Sequence, residues 1–185
     1  MERLNQFIHD VGKLKRKDRA GWVRHGVENP ESVAEHSFRT AILALVLSDK
    51  FGLDSNKTVK MALVHDLAEA QIPDFTPFDN LSTEEKFKLE QETMKNLCAN
   101  ITNGEQVLEL WYELEAGKTK EARFVKKLDK LEMMFQAREY GDEQPDKDLE
   151  LFWQMIQDFD FDELSSVFEE LISEKERQSG ASQLG

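Results

Sequence analysis

His36 and His65 stand 29 residues apart, Asp66 follows His65 directly, and Asp129 comes 63 residues after Asp66. Imidazole nitrogens and carboxylate oxygens are the donors that hold ions such as Zn, Mn, Fe, Co or Ni. Each group lies on or beside an apolar helical stripe. Val33, His36, Thr40, Leu43 and Leu47 share one face; Met61, Ala62, His65, Ala68, Glu69 and Ile72 share another; Ala122, Val125, Asp129 and Met133 share a third. Burying unpaired carboxylates is costly, and a shared divalent cation would offset the charges of Asp66 and Asp129. Taken singly, each group has a plainer reading. His36 suits a hydrogen-bonded core histidine, and Glu35 a helix-capping residue. Asp129 suits a surface ion pair among Lys126, Lys127 and Lys130. His65 and Asp66, as adjacent residues, would point about 100° apart on a helix. Only the ensemble points to a metal.

The elements that must position these groups are helical, and the expected fold class is all-α. Apolar residues recur at helical spacing, and no alternating β-branched segment reads as a strand. Helices are expected near residues 2–13, 33–51, 56–71, 83–100, 104–116, 120–140, 147–157 and 162–178. Ser32 with Glu35, Ser82 with Glu85 and Asn103 with Gln106 have the capping-box pattern, Thr119 can cap the next helix, and Gly52 can end the helix begun at Ser32. Two long non-helical stretches remain, 14–31 and 72–81, and long loops in a compact domain often carry function.

Composition limits the partners. The 185 residues carry 24 basic and 37 acidic side chains, a net charge of -13. Such acidity excludes a dedicated nucleic-acid polymer binder and docking on an anionic membrane. The charge is uneven: residues 1–60 are net +3 and the remainder net -16. A small anionic ligand is therefore expected at the N-terminal third. The single cysteine, Cys98, precludes an intramolecular disulfide and reads as a core thiol in a reducing compartment. No signal-peptide core opens the sequence, and the longest apolar run, Ala41 to Leu47, is far short of the ~20 residues a spanning helix needs. A soluble cytoplasmic protein is expected.

The words around these residues are more specific than their spacing. The H…HD…D skeleton of His36, His65–Asp66 and Asp129 resembles that of HD-domain metal-dependent phosphohydrolases. Arg19-Ala20-Gly21-Trp22, Pro30-Glu31-Ser32-Val33-Ala34-Glu35-His36-Ser37, the run Met61 to Ala70, Asp74-Phe75-Thr76-Pro77 and the run Val125 to Met133 are similar to the 5′-deoxynucleotidase subfamily. The resemblance covers residues 4 to 140. It implies a compact HD-domain helical bundle with additional C-terminal helices. It also implies one divalent ion (Co, Mn, Cu, Zn, Ni, Fe or Mg) on His36, His65, Asp66 and Asp129, with Glu69 catalytic. Arg19, Trp22, Asp74 and Thr76 would line the nucleotide site, and the protein would be a homodimer acting on nucleoside 5′-monophosphates. Three positions depart from the family pattern: Pro73 replaces a glycine, Leu114 replaces a tyrosine, and Arg19 stands three residues before Trp22.

From these residues, Glu69 is expected on one helix face with His65, orienting water or protonating the leaving oxygen. Arg19 is expected to clamp phosphate, with Lys13, Lys15, Arg16 and Lys17 drawing the anion in. Trp22 is expected to stack on sugar or base, or to be core. Asp74 is expected to meet the sugar 3′-hydroxyl. The expected organisation is a phosphohydrolase core over 1–140 and acidic helices with a polar tail over 141–185, packed on the core or on a second subunit. The enzymatic alternative is a deoxynucleoside triphosphate hydrolase, and the alternative of another class is a non-catalytic nucleotide-binding module.

Overall fold

The computed structural model describes residues 2–99, 101–156 and 159–182. Positions 100 and 157, where two expected helices end, and the last three residues of the polar tail lie outside the described residues. Nine α-helices are present among the described residues: α1 (Glu2–Val11), α2 (Ala20–Arg24), α3 (Val33–Leu47), α4 (Ser55–Val64), α5 (Thr83–Cys98), α6 (Gly104–Ala116), α7 (Lys120–Glu143), α8 (Glu150–Gln154) and α9 (Ser165–Ser182). The described residues contain no strand beyond an isolated antiparallel bridge between Asp18 and Ser32. None of their helices is long and apolar enough to cross a membrane.

Local sequence sets most helix starts. The Ser32/Glu35 and Ser82/Glu85 boxes form in both directions, and the Thr119 hydroxyl accepts from the Ala122 amide at 3.2 Å. The Asn103/Gln106 box does not form. The chain instead enters α6 by backbone hydrogen bonds, Ile101 to Cys98 and Gly104 to Ile101. Gly104 is obligatory there, since a Cβ would lie 1.8 Å from the Cys98 carbonyl oxygen. Gly52 terminates its helix in the left-handed region at φ +65°, after a final 3₁₀ turn over Asp49–Phe51.

Residues 72–81 carry no helix, as expected, but the 14–31 stretch is more structured than its sequence suggests. The 14–31 stretch begins within a 3₁₀ turn, Gly12–Arg16, and contains α2. Amide-to-carbonyl bonds from Arg19 to Glu31 (3.0 Å) and from Val33 to Lys17 (2.8 Å) close it at its base. The loop is thereby a closed hairpin that holds α2 against the bundle.

Helices α3 and α4 pack along one another, and α7 lies across both and against α6. Two apolar clusters result. The larger gathers Met61, Phe124, Leu128, Leu131 and Met134 with Phe152, Ile156, Leu164 and Leu171 of the C-terminal segment. That segment therefore packs on its own chain's core. Helix α7 runs unbroken through residue 140, the expected boundary. The smaller cluster gathers Leu14, Val33, Leu67, Met94, Trp111 and the free thiol Cys98, which is buried as a core residue.

Candidate active site

Helix α4 stops at Val64, and this break corrects the expected continuous helix over 56–71. His65 is the last residue in helical conformation, Asp66 turns to φ -104°, ψ 18°, and a 3₁₀ turn over Leu67–Ala70 follows. The break brings adjacent side chains to one point: His65 Nε2 lies 3.1 Å from Asp66 Oδ2. On a regular helix they would diverge. Glu69 consequently rides on a tight turn and not on one α-helical face with His65. Lys17 fixes that turn by donating to the carbonyls of Glu69 and Ile72. Two of the four clustered basic residues thus have structural partners, because Lys13 pairs with Asp10 at 2.6 Å.

Helices α3 and α7 bring the remaining donors. His36, fully buried in the second turn of α3, places Nε2 3.1 Å from His65 Nε2, 3.1 Å from Asp129 Oδ1 and 3.7 Å from Asp66 Oδ2. Four donor atoms from three segments converge. The opposite ring nitrogens decide their chemistry. His65 Nδ1 lies 2.7 Å from the Ala62 carbonyl, which can only accept, so Nδ1 carries the hydrogen. His36 Nδ1 faces the buried carboxylate of Glu132, itself held by Arg39 Nε at 2.7 Å. With both rings neutral, their Nε2 lone pairs would converge at 3.1 Å, an arrangement that needs a shared cation, either a proton on His36 Nε2 or a metal ion in its place. That donor set fits a divalent metal, and such orientation of ligating histidines from outside is the usual arrangement. The His36, His65 and Asp66 donors lie close enough together to hold an ion.

The electrostatics agree. Burial opposes charging of His36, yet the Asp129 and Glu132 carboxylates raise it to about 9. Burial likewise pushes Asp66 up, but His65 and Arg19 hold it below the usual carboxylate range. The carboxylates thus stay charged and demand a cation. A second buried donor group, Glu31, His36 and Glu132, is already satisfied. Glu31 accepts from the Trp22 indole N–H at 3.0 Å, and both Glu132 oxygens are hydrogen-bonded.

A cleft of about 440 Å³ opens on the cluster, within the roughly 300–1,000 Å³ range of small-molecule sites. Arg19, Trp22, Asp66, Glu69, Asp74, Thr76 and Asp129 all line it, so the structure brings the sequence-predicted residues together apart from the two deeper histidines. Arg19 Nη1 donates to Asp66 at 3.1 Å. One Asp74 oxygen accepts the Ala20 amide at 2.8 Å, tying the 72–81 loop to α2. The Thr76 hydroxyl donates to Asp79 at 2.8 Å and shapes that loop. Trp22 is 1 % exposed and is a core residue, meeting Tyr140 in an edge arrangement and Phe152 at 4.1 Å between ring centres. Glu69 is buried with Oε2 lacking any partner. Burial, then Asp66 and Asp74, push its carboxyl well above the ordinary range. A larger groove, about 1310 Å³, lies along α3 beside Phe38, Arg39 and Ile42, away from the donor cluster.

Several contributors escaped the sequence reading. Glu132 follows Asp129 by one helical turn, a spacing that could have flagged it. Lys86 and Lys130 add positive charge to the cleft, and Leu151, Phe152 and Met155 arrive from the far end of the chain. Those three read in the sequence as apolar residues of an amphipathic helix packed on the core or on a second subunit, and nothing local places them at the cleft.

Comparison with known proteins places this geometry. The chain is 41 % identical to the 5′-deoxynucleotidase HDDC2 of Bos taurus, over 98 % of its own length and 88 % of that protein's. Its fold matches that of a conserved hypothetical protein from Pyrococcus furiosus with a TM-score of 0.75 and 37 % identity, over 93 % of this chain and 98 % of the other. It also matches a predicted metal-dependent phosphohydrolase from Magnetospirillum magnetotacticum, with a TM-score of 0.62 and 25 % identity over 74 % and 71 % of the two chains. Residues 11–171, which span the donor cluster, both loops and α8, match the HD-domain family, and the chain belongs to that family.

Proposed function

We propose that this protein is a divalent-metal-dependent 5′-deoxynucleotidase, hydrolysing deoxyribonucleoside 5′-monophosphates to deoxynucleoside and phosphate. The observation that carries the proposal is the convergence of His36 Nε2, His65 Nε2, Asp66 and Asp129 beside the unpartnered carboxyl of Glu69. The activity named for the Bos taurus relative supports the substrate class.

In this reading His36, His65, Asp66 and Asp129 hold one ion, drawn from Co, Mn, Cu, Zn, Ni, Fe or Mg. Bound there, the ion supplies an acidified water and neutralises phosphate charge. Arg19 keeps one N–H on Asp66 and offers the rest of its guanidinium to the phosphate oxygens. Lys86 and Lys130 add to that field. Burial and the Asp66 and Asp74 carboxylates favour the protonated form of Glu69, which suits it to donate to the 5′-oxygen as the P–O bond breaks and a water oxygen bonds phosphorus. The proton from the water returns to Glu69, and the atoms balance as ester plus water. Asp74, anchored through one oxygen, turns the other to the sugar 3′-hydroxyl. A tight wall at Asp74 and Thr76 would exclude a 2′-hydroxyl. Trp22 supports the site from beneath.

The unpaired Cys98 supports a cytoplasmic setting. The assembly proposed is a homodimer meeting on the exposed stripe Phe38, Ile42, Leu45 and Val46 of α3, which falls on one helical face. Phosphate release from the four deoxynucleoside monophosphates, the four ribonucleotides and the deoxynucleoside triphosphates, with Mn²⁺ or Co²⁺ added, tests the substrate. Turnover of the deoxy monophosphates alone is expected. Preference for triphosphates overturns the assignment.

A further inference from the structure

We propose that α8 and the turn after it build the nucleobase subsite of this cleft, with Leu151 and Met155 as the wall on which the base lies and the buried Phe152, packed on Trp22, anchoring that wall. The inference rests on the nucleotide reading above. The cleft divides by chemistry. Arg19, Asp66, Glu69, Asp74, Lys86 and Asp129 make one region polar, while the C-terminal residues meet Trp22, His25 and Phe78 in another.

The apolar region is fixed by close contacts. Phe152 lies 4.1 Å from the Trp22 ring at an interplanar angle of 30°, and 4.8 Å from His25 in an edge arrangement. A Cβ on Gly21 would come within 3.3 Å of Phe152 Cε1, so this approach suits glycine. Residues Gly21, Trp22 and His25 all belong to or flank α2, the helix preceded by Arg19. The phosphate-facing guanidinium and the C-terminal wall are therefore held by one short helix, which sets the spacing between them.

Hydrogen-bonding groups in this region are largely committed. His25 Nδ1 donates to the Gly21 carbonyl at 2.9 Å, and the Thr76 hydroxyl is taken by Asp79. What remains exposed is adaptable apolar surface, since the Trp22 and Phe152 rings are themselves buried. Met155 is 45 % exposed, and its flexible thioether can follow bases of different shape. Such a wall grips a base through its face and leaves the edge unread, in the manner of aromatic and apolar stacking platforms.

Binding of deoxyadenosine and of inorganic phosphate, measured separately on the metal-loaded full chain, tests the wall, because neither ligand is consumed. Met155→Ala and Leu151→Ala are expected to weaken deoxyadenosine by about fivefold or more each and to leave phosphate affinity unchanged. KM for dAMP is expected to rise in parallel. Unchanged deoxyadenosine affinity in both variants, equal weakening of both ligands, or no deoxyadenosine binding to the wild type overturns the inference. A selective loss of deoxyadenosine in a protein that hydrolyses no nucleotide would leave the wall standing and sink the phosphatase reading alone.

Discussion

At His36 both ring nitrogens are committed, Nε2 to the donor cluster and Nδ1 to Glu132. Glu132→Gln replaces a charged acceptor with a weaker one and leaves Arg39 short of a partner. Metal affinity is expected to fall about 10- to 100-fold, as for other residues that orient a ligating histidine, by titration of the stripped protein. Glu69→Gln provides the contrast. It keeps all four donor atoms, so metal affinity is expected to hold while hydrolysis drops by about 10²- to 10⁴-fold, the usual contribution of a general acid. Loss of metal from the Glu69 variant would instead make that carboxylate a ligand. The donor residues were legible in the sequence because ionisable groups interrupt apolar stripes. Glu132 was less so: a carboxylate one turn from Asp129 reads as surface until the His36 imidazole is seen to face it.

Helix starts followed from side-chain rules at Ser32, Ser82 and Thr119, where one hydroxyl satisfies an amide a few residues away. The break after Val64 did not, because its causes are distant. Lys17 holds the Glu69 and Ile72 carbonyls, and Asp10 of α1 accepts from Gln71 at 3.2 Å as well as from Gln6 and Lys13. Asp10 is buried and ties α1 to the turn that presents Glu69. Asp10→Asn is expected to cost about 1.5–3 kcal/mol in denaturant unfolding near neutral pH, the range for hydrogen bonds involving a charged group. Its carboxyl is held below the ordinary value, chiefly by the Lys13 hydrogen bond. A depressed folded value means stabilisation present above the ordinary carboxylate range and lost as pH falls through the folded value. The gap between wild type and variant should therefore be full above about pH 5 and close below about pH 4. A gap that widens in acid would contradict this role.

Across the whole molecule, charge and apolar surface pull in different directions. Each chain carries -13, while α3 exposes Phe38, Ile42, Leu45 and Val46 as a single stripe. A dimer on that stripe is opposed by charge repulsion, so salt should tighten it by screening. Sedimentation is expected to show a dimer that strengthens with salt, and Phe38→Glu is expected to yield monomers with an intact fold. A monomeric wild type would refute the assembly. The all-α class was legible from period alone, whereas the contribution of the C-terminal segment to the cleft was not. Contacts such as Phe152 on Trp22 join residues 130 positions apart, and no local pattern encodes them. The central claim is that one bound divalent ion makes this cluster a phosphatase. It is tested most directly by titrating metal into chelator-stripped protein while following phosphate release from dAMP. Activity absent at the start, rising linearly and levelling at one ion per chain is the predicted result. Full activity in the stripped protein, or none with any divalent ion, would contradict it.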